Sequence, residues 1–95
     1  MILSFQNPET EFVFNGEQSR RLPPDIQGRA RTKLRYLSRA QTLSDLRNPP
    51  GNRLEALKGD QEGRYSLRIN DQWRITFRWS DGDAHDVRIE DYQRG

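Results

Sequence analysis

Between Trp73 and Trp79 apolar and polar side chains alternate. Trp73, Ile75, Phe77 and Trp79 fall on one side, and Arg74, Thr76 and Arg78 on the other. Successive side chains on a strand point to opposite faces with period two. The spacing therefore predicts a strand over 73–79 with one apolar and one cationic face. "RYSLRI" at 64–69 has the same rhythm and leads into it through a two-residue turn at Asn70-Asp71. "AHDVRIEDY" at 84–92 follows the turn signal "SDGD" and alternates again. "RLEALK" at 53–58 reads as a strand running into Gly59-Asp60, but Leu54 and Leu57 both look buried and break the alternation. That pattern predicts a bulge, and the faces of this strand are left unassigned. "ILSF" at 2–5 reads as a short opening strand.

The rest of the apolar pattern is helical. Asn7-Pro8-Glu9 has the signature of a helix start, with Asn as N-cap and Pro in the first turn. "ETEFVFNG" then makes a brief helix stopped by Gly16. From Asp25 to about Ala40, Ile26, Ala30, Leu34 and Leu37 recur at helical spacing and form a buried stripe. Thr42 and Asp45 make a capping-box variant for one further turn up to Arg47. "RNPPGN" is a rigid loop. The elements predict a single α+β domain over 1–95. Two N-terminal helices pack on one face of a mainly antiparallel sheet of four to five strands.

If Ile75 and Phe77 face the helices, so do Tyr65, Leu67, Ile69, Val87 and Ile89. The opposite face then shows Ser66, Arg68 and Asn70, then Arg74, Thr76 and Arg78, then Arg88, Glu90 and Tyr92. Lys58 and Glu55 lie near the end of the first strand of this set. By parity His85 falls with Val87 and Ile89, near a turn, where a structural role is expected. A wet side is ordinary for an antiparallel sheet. Cations without a dominant carboxylate partner, interleaved with Tyr and Trp, point further, to phosphate contacts and base stacking.

Charge sharpens that picture. The net charge is only +2, with fourteen Arg and two Lys among 95 residues. Arg matches phosphate bidentately and stacks on bases, so the bias is a mild nucleic-acid signal; base composition of the genome explains it equally well. Residues 18–39 hold seven cations against one anion, Asp25. Arg29, Arg31, Lys33, Arg35 and Arg39 lie off the apolar stripe, as an electrostatic footprint for a polyanion would require. There is no Cys, which excludes disulfides, thiolate catalysis and thiolate metal sites and fits a reducing cytoplasm. No metal-ligand spacing, cofactor motif or Ser/His/Asp constellation is legible. "MILSFQNPE" has no signal-peptide pattern, and no run is long enough to span a membrane. RNA cleavage needs none of these groups. The ribose 2′-hydroxyl is the nucleophile, and the protein has only to align it, assist proton transfer and stabilise charge.

"PPGNRLEALKGDQEGRYSLRINDQWRITFRW" followed by "DVRIEDY" resembles the HigB-type toxins of the RelE superfamily, the toxin half of bacterial toxin–antitoxin pairs. The resemblance covers essentially the whole chain, including "MILSF" and "FVFNG". It implies a RelE-like fold and a cytoplasmic toxin that cuts messenger RNA at the ribosomal A site without a metal or cofactor. It also implies a helix-turn-helix antitoxin that neutralises the toxin and, in complex with it, binds operator DNA. Lys58, Arg74, Asp91 and Tyr92 sit where the family keeps catalytic or RNA-contacting residues. Glu55 stands where many members have His, and Gln93 follows Tyr92 where most end in Asp-Tyr-His. Gln93 can hydrogen-bond a base or phosphate but cannot shuttle a proton near neutral pH.

The leading expectation is a ribosome-dependent mRNA endonuclease. Arg74, Arg68 and Lys58 hold the scissile phosphate, Tyr92 orients a nucleotide, and Glu55 or Asp91 is the base. Arg78 and Gln93 add nucleic-acid contacts, and Arg29, Lys33 and Arg35 dock on ribosomal RNA. Two readings without chemistry stay open beside it: a same-fold inhibitor of DNA gyrase and an inactive RNA-binding module.

Overall fold

The computed structural model describes residues 1–92. Helix α1 spans Pro8–Phe14 and helix α2 spans Pro24–Arg39. Strands β1 (Glu55–Ala56), β2 (Arg64–Arg68), β3 (Trp73–Ser80) and β4 (Asp83–Asp91) form one antiparallel sheet in the order β1-β2-β3-β4. Both helices pack on the same face of this sheet. Val13, Ile26, Ala30, Leu34 and Leu37 meet Leu67, Ile69, Ile75, Phe77, Val87 and Ile89 in a single core cluster. The helix stripe and the strand alternation thus point at each other as expected.

Local chemistry explains the helix starts. The Asn7 carboxamide accepts hydrogen bonds from the Thr10 amide (3.0 Å) and hydroxyl (2.7 Å). The same hydroxyl accepts the Ile89 amide at 2.8 Å, tying the start of α1 to the outer edge of β4. Gly16, at φ +86°, follows α1 in the left-handed region that glycine tolerates. Gln27, buried on α2, donates to the carbonyls of Ser19 and Leu22 at 2.8 and 2.9 Å and accepts from the Ser19 amide. It fixes the loop between the helices. After α2, Thr42 and Asp45 cap the 3₁₀ turn Leu43–Arg47 reciprocally.

Three strand expectations need correction. Segment 2–5 is not a regular strand: it meets β4 at two isolated parallel bridges, Ile2 with Ala84 and Phe5 with Val87. The interruption has a cause in β4 itself. Thr76 pairs with Arg88 but Arg78 pairs with His85, so β4 holds one extra residue between them. Asp86 sits in this bulge at φ +52° and donates its amide to the Ser4 hydroxyl at 2.8 Å. Second, the strand expected over 53–58 is ordered as such only at Glu55–Ala56, and Leu54 and Leu57 are half-buried, not buried. Third, the β2–β3 connection is longer than two residues. Ile69 donates to the Trp73 carbonyl at 2.9 Å, leaving Asn70, Asp71 and Gln72 between. The Asn70 side chain accepts the amides of Gln72 and Trp73, both at 2.8 Å. The β3–β4 turn at Asp81-Gly82 has φ +54° and +80°, the type I′ signature.

Candidate functional site

The face of the sheet away from the helices is built in cross-strand rows. Arg68, Arg74 and Glu90 lie in one row, and Glu55, Ser66, Thr76 and Arg88 in the next. Arg64, Arg78 and His85 form the third. Directly opposed residues share a face, so His85 lies beside Arg78 on the polar face. This corrects the parity reading that placed it with Val87 and Ile89: the bulge at Asp86 resets the alternation.

The centre of the middle row is not exposed, although Glu55 at its end is. Ser66 and Thr76 are fully buried beneath longer neighbours. Arg64 donates to the Thr76 hydroxyl (2.9 Å) and the Asp86 carbonyl (3.0 Å). Burial first, and then the nearby Arg88, pushes the Arg64 guanidinium below its usual value. The Thr76 hydroxyl in turn donates to Glu90 Oε2, which also accepts Arg88 Nε at 2.9 Å. Among the described residues, Arg64 Nε, Ser66 Oγ and Arg74 Nε are buried without a hydrogen-bond partner.

The cations are also less free than composition implied. Arg68 is paired with Asp71, Arg78 with Asp86 at 2.9 Å, and Arg88 with Glu90. The expectation of cations lacking carboxylate partners therefore fails at Arg68 and Arg78, because turn and bulge carboxylates fold back onto them. Among the described residues Arg74 forms no ion pair. Its guanidinium donates to the Asn70 carbonyl and lies over the Tyr92 ring, 5.1 Å from the centroid.

Beside this pair is an open pocket lined by Leu57, Lys58, Gln61, Glu90, Asp91 and Tyr92. A shallower groove next to it is lined by Glu55, Lys58 and Tyr92 with their neighbours. The structure thus brings Lys58, Glu55, Asp91 and Tyr92 to one place, with Arg74 stacked on its tyrosine. Asp91 differs in aim. It pairs across the ladder with Trp73, not with a polar-face residue, and its carboxylate accepts a hydrogen bond from the Gln72 side-chain Nε2 at 3.0 Å. Glu90, opposite Arg74, is the β4 carboxylate on the pocket's own face. The alternation of β4 placed Glu90 with Arg88 and Tyr92, but nothing in it singled Glu90 out. Gln93 lies outside the described residues. No group of three or more His, Cys, Asp or Glu side chains able to hold a metal ion occurs among the described residues.

On α2, Arg29 and Arg35 are exposed, while Lys33 is half-buried. Its ammonium donates to Asn52 Oδ1 at 2.7 Å. Asn52, fully buried in the loop before β1, in turn donates to the Leu46 and Asn48 carbonyls, both at 3.2 Å. Burial, then Arg29 and Arg68, lowers the pKa of Lys33. Arg31 likewise turns inward, to the Val13 carbonyl at 3.1 Å. Neither buried Asn52 nor its lysine partner was legible as a structural unit in the sequence.

The architecture is that of the RelE-like toxins. A YoeB-YefM complex from Staphylococcus aureus matches at TM-score 0.58 and 16% identity, over 99% of each chain. YafQ from Escherichia coli matches at TM-score 0.57 and 12% identity, over 97% of this chain and 94% of that one. At these identities the likeness concerns the fold. Sequence carries the assignment further. The model of the RelE-like HigB toxins of type II toxin–antitoxin systems matches residues 3–92, and the chain belongs to that family. It is 38% identical over 94 residues to Toxin HigB-1 of Vibrio cholerae, covering 98% of this chain and 99% of that one. It is 33% identical over 92 residues to Endoribonuclease HigB of Proteus vulgaris, covering 97% and 99%.

Proposed function

We propose that this toxin is an endoribonuclease that cleaves messenger RNA on the ribosome, without a metal ion. The observation that carries the reading is the convergence of Lys58, Tyr92 and a carboxylate in one open pocket, with Arg74 stacked on Tyr92. The relative named as an endoribonuclease, alike over nearly its whole length, supports the same reading.

The division of labour follows from side-chain chemistry. Arg74 and Lys58 offer charge-assisted donors to the scissile phosphate and to the charge that develops on it. Tyr92 offers a ring for stacking and a hydroxyl for hydrogen bonding at the same nucleotide. Arg68 is held by Asp71, so it reaches RNA only by exchanging that exposed carboxylate for a phosphate. Arg29 and Arg35 are exposed on α2, where ribosomal RNA supplies the phosphates; Arg29 also donates to the Ile69 carbonyl at 3.5 Å. The antitoxin partner expected of the family is a helix-turn-helix protein that binds operator DNA, and the toxin meets that DNA only through the complex. The site of action is the cytoplasm; no helix among the described residues is long and apolar enough to cross a membrane.

The test is product analysis. Purified toxin with ribosomes holding a defined message should cut within the A-site codon and leave a 2′,3′-cyclic phosphate and a 5′-hydroxyl. Ribosome binding with an intact message would establish the non-catalytic module instead. Inhibition of DNA supercoiling, with messages intact, would establish a gyrase inhibitor.

A further inference from the structure

We infer that Glu90 is the general base of the cleavage reaction, held ready by Thr76 and Arg88. The inference rests on the nuclease reading above and replaces Glu55 and Asp91 in the role of base.

Three carboxylates border the site, and their settings differ. Glu55 is exposed, on the two-residue strand at the sheet edge, and lines the shallow groove and not the pocket of Lys58, Glu90 and Tyr92. Asp91 stands in register with Trp73 and its carboxylate is engaged by the Gln72 side-chain Nε2. Glu90 stands in register with Arg74, and its side chain, 28% exposed, lines the pocket with Lys58 and Tyr92. Both donors to Glu90, the Thr76 hydroxyl and Arg88 Nε, converge on Oε2. Among the described residues Oε1 has no hydrogen-bond partner, so it is the oxygen available to accept a proton. Arg64 completes the arrangement by fixing the Thr76 hydroxyl, whose proton is then directed at Glu90. A carboxylate whose rotamer is set by two donors on one oxygen is oriented as a general base must be.

The step balances with groups already in the pocket. Glu90 takes the proton of the ribose 2′-hydroxyl as the 2′-oxygen bonds to phosphorus. The bond from phosphorus to the 5′-oxygen breaks, and that oxygen takes a proton from the Lys58 ammonium. A 2′,3′-cyclic phosphate and a 5′-hydroxyl result. Solvent then restores the two protonation states. The phosphate charge faces Arg74, directly across the ladder from Glu90.

The experiment is single-turnover cleavage of a ribosome-bound message. Glu90→Gln keeps an oxygen that accepts from Thr76 and Arg88 but cannot take up a proton. It should slow cleavage by on the order of 10²–10⁴-fold. Its affinity for ribosomes carrying a message with a 2′-deoxy scissile nucleotide should equal that of the wild type. Glu55→Gln and Asp91→Asn should slow cleavage far less. A Glu90→Gln protein that cleaves at the wild-type rate, or no more slowly than Glu55→Gln or Asp91→Asn, overturns the assignment alone. A wild-type chain that never cleaves overturns the nuclease reading and this assignment with it.

Discussion

The guanidinium of Arg74 lies over the ring of Tyr92, 5.1 Å from its centroid, and makes no ion pair among the described residues. Arg74 projects from the side of β3 opposite to Ile75, which is fully buried. Arg74→Ala therefore removes a phosphate donor without opening the core. Loss of one charge-assisted hydrogen bond to a transition-state phosphate costs about 2–4 kcal/mol, or roughly thirty- to a thousandfold in rate. The variant should keep the wild-type circular dichroism spectrum, lose only a few degrees of melting midpoint with its hydrogen bond to the Asn70 carbonyl, still bind its antitoxin, and no longer arrest growth. A fully toxic Arg74→Ala protein would remove this residue from the site.

Tyr92 separates ring from hydroxyl. Tyr92→Phe keeps the surface on which Arg74 stacks; Tyr92→Ala does not. If the phenol only stacks, Phe retains most of the cleavage rate and Ala loses it. The expected result is loss in both, because the hydroxyl enters the phosphate's hydrogen bonding. Rates for both variants on the same ribosome-bound message decide between the two.

The basic side of α2 should serve docking and not chemistry. Arg29→Glu with Arg35→Glu should weaken co-sedimentation with ribosomes. It should also flatten the dependence of affinity on salt, by about one logarithmic unit for each phosphate that is no longer neutralised. Lys33 is left out of this test because its ammonium is bound to Asn52, so replacing it would disturb the loop as well. Unchanged ribosome affinity in the double variant would move the docking surface elsewhere.

Asn52 should be a stability residue. Asn52→Ala leaves the carbonyls of buried Leu46 and exposed Asn48 without their donor and Lys33 without its acceptor. The expected loss is about 2–4 kcal/mol in urea unfolding. A loss below the measurement error would mean that water takes over these hydrogen bonds.

Acid stability should report on Asp86. The hydrogen bond from Arg78 is the largest influence holding its pKa below the usual aspartate value, aided by the charges of Arg78 and Arg64 and by Ser4. A carboxyl depressed in the folded state stabilises it above the unfolded-state pKa, and that contribution is lost as pH falls through the folded-state value. Asp86→Asn tolerates the left-handed backbone and removes the titration. The variant should be less stable than the wild type at neutral pH and should lose less on acidification below about pH 4. Urea midpoints across that range measure both; parallel curves would show that Asp86 is not linked to folding.

Much of this fold was legible because burial imposes periodicity. Ile26, Ala30, Leu34 and Leu37 could be read at helical spacing, and Ile75 and Phe77 at strand spacing, since each packs in the same core. The site was legible as a set of residues but not as a set of orientations. Lys58, Arg74 and Tyr92 meet as expected. Asp91 and Glu90, adjacent in sequence, differ in the face they share because the ladder sets one opposite Trp73 and the other opposite Arg74. His85 was misplaced because an unpaired residue in β4 leaves no mark on apolar spacing: Asp86 is polar whichever way it points. The ion pairs of Arg68 and Arg78 depend on turn and bulge backbones that composition does not encode.

The extra residue at Asp86 divides β4 into two segments that are out of phase. Positions 84–85 and 87–92 obey opposite odd–even rules, so the strand has two reading frames for inside and outside. Pairing a relative that lacks the extra residue against this strand without a gap would exchange core and surface positions along one segment. The two frames also make the strand modular. A hairpin tip near Ala84 can change without moving Ile89, Glu90 or Tyr92, because the offset is absorbed before the site begins.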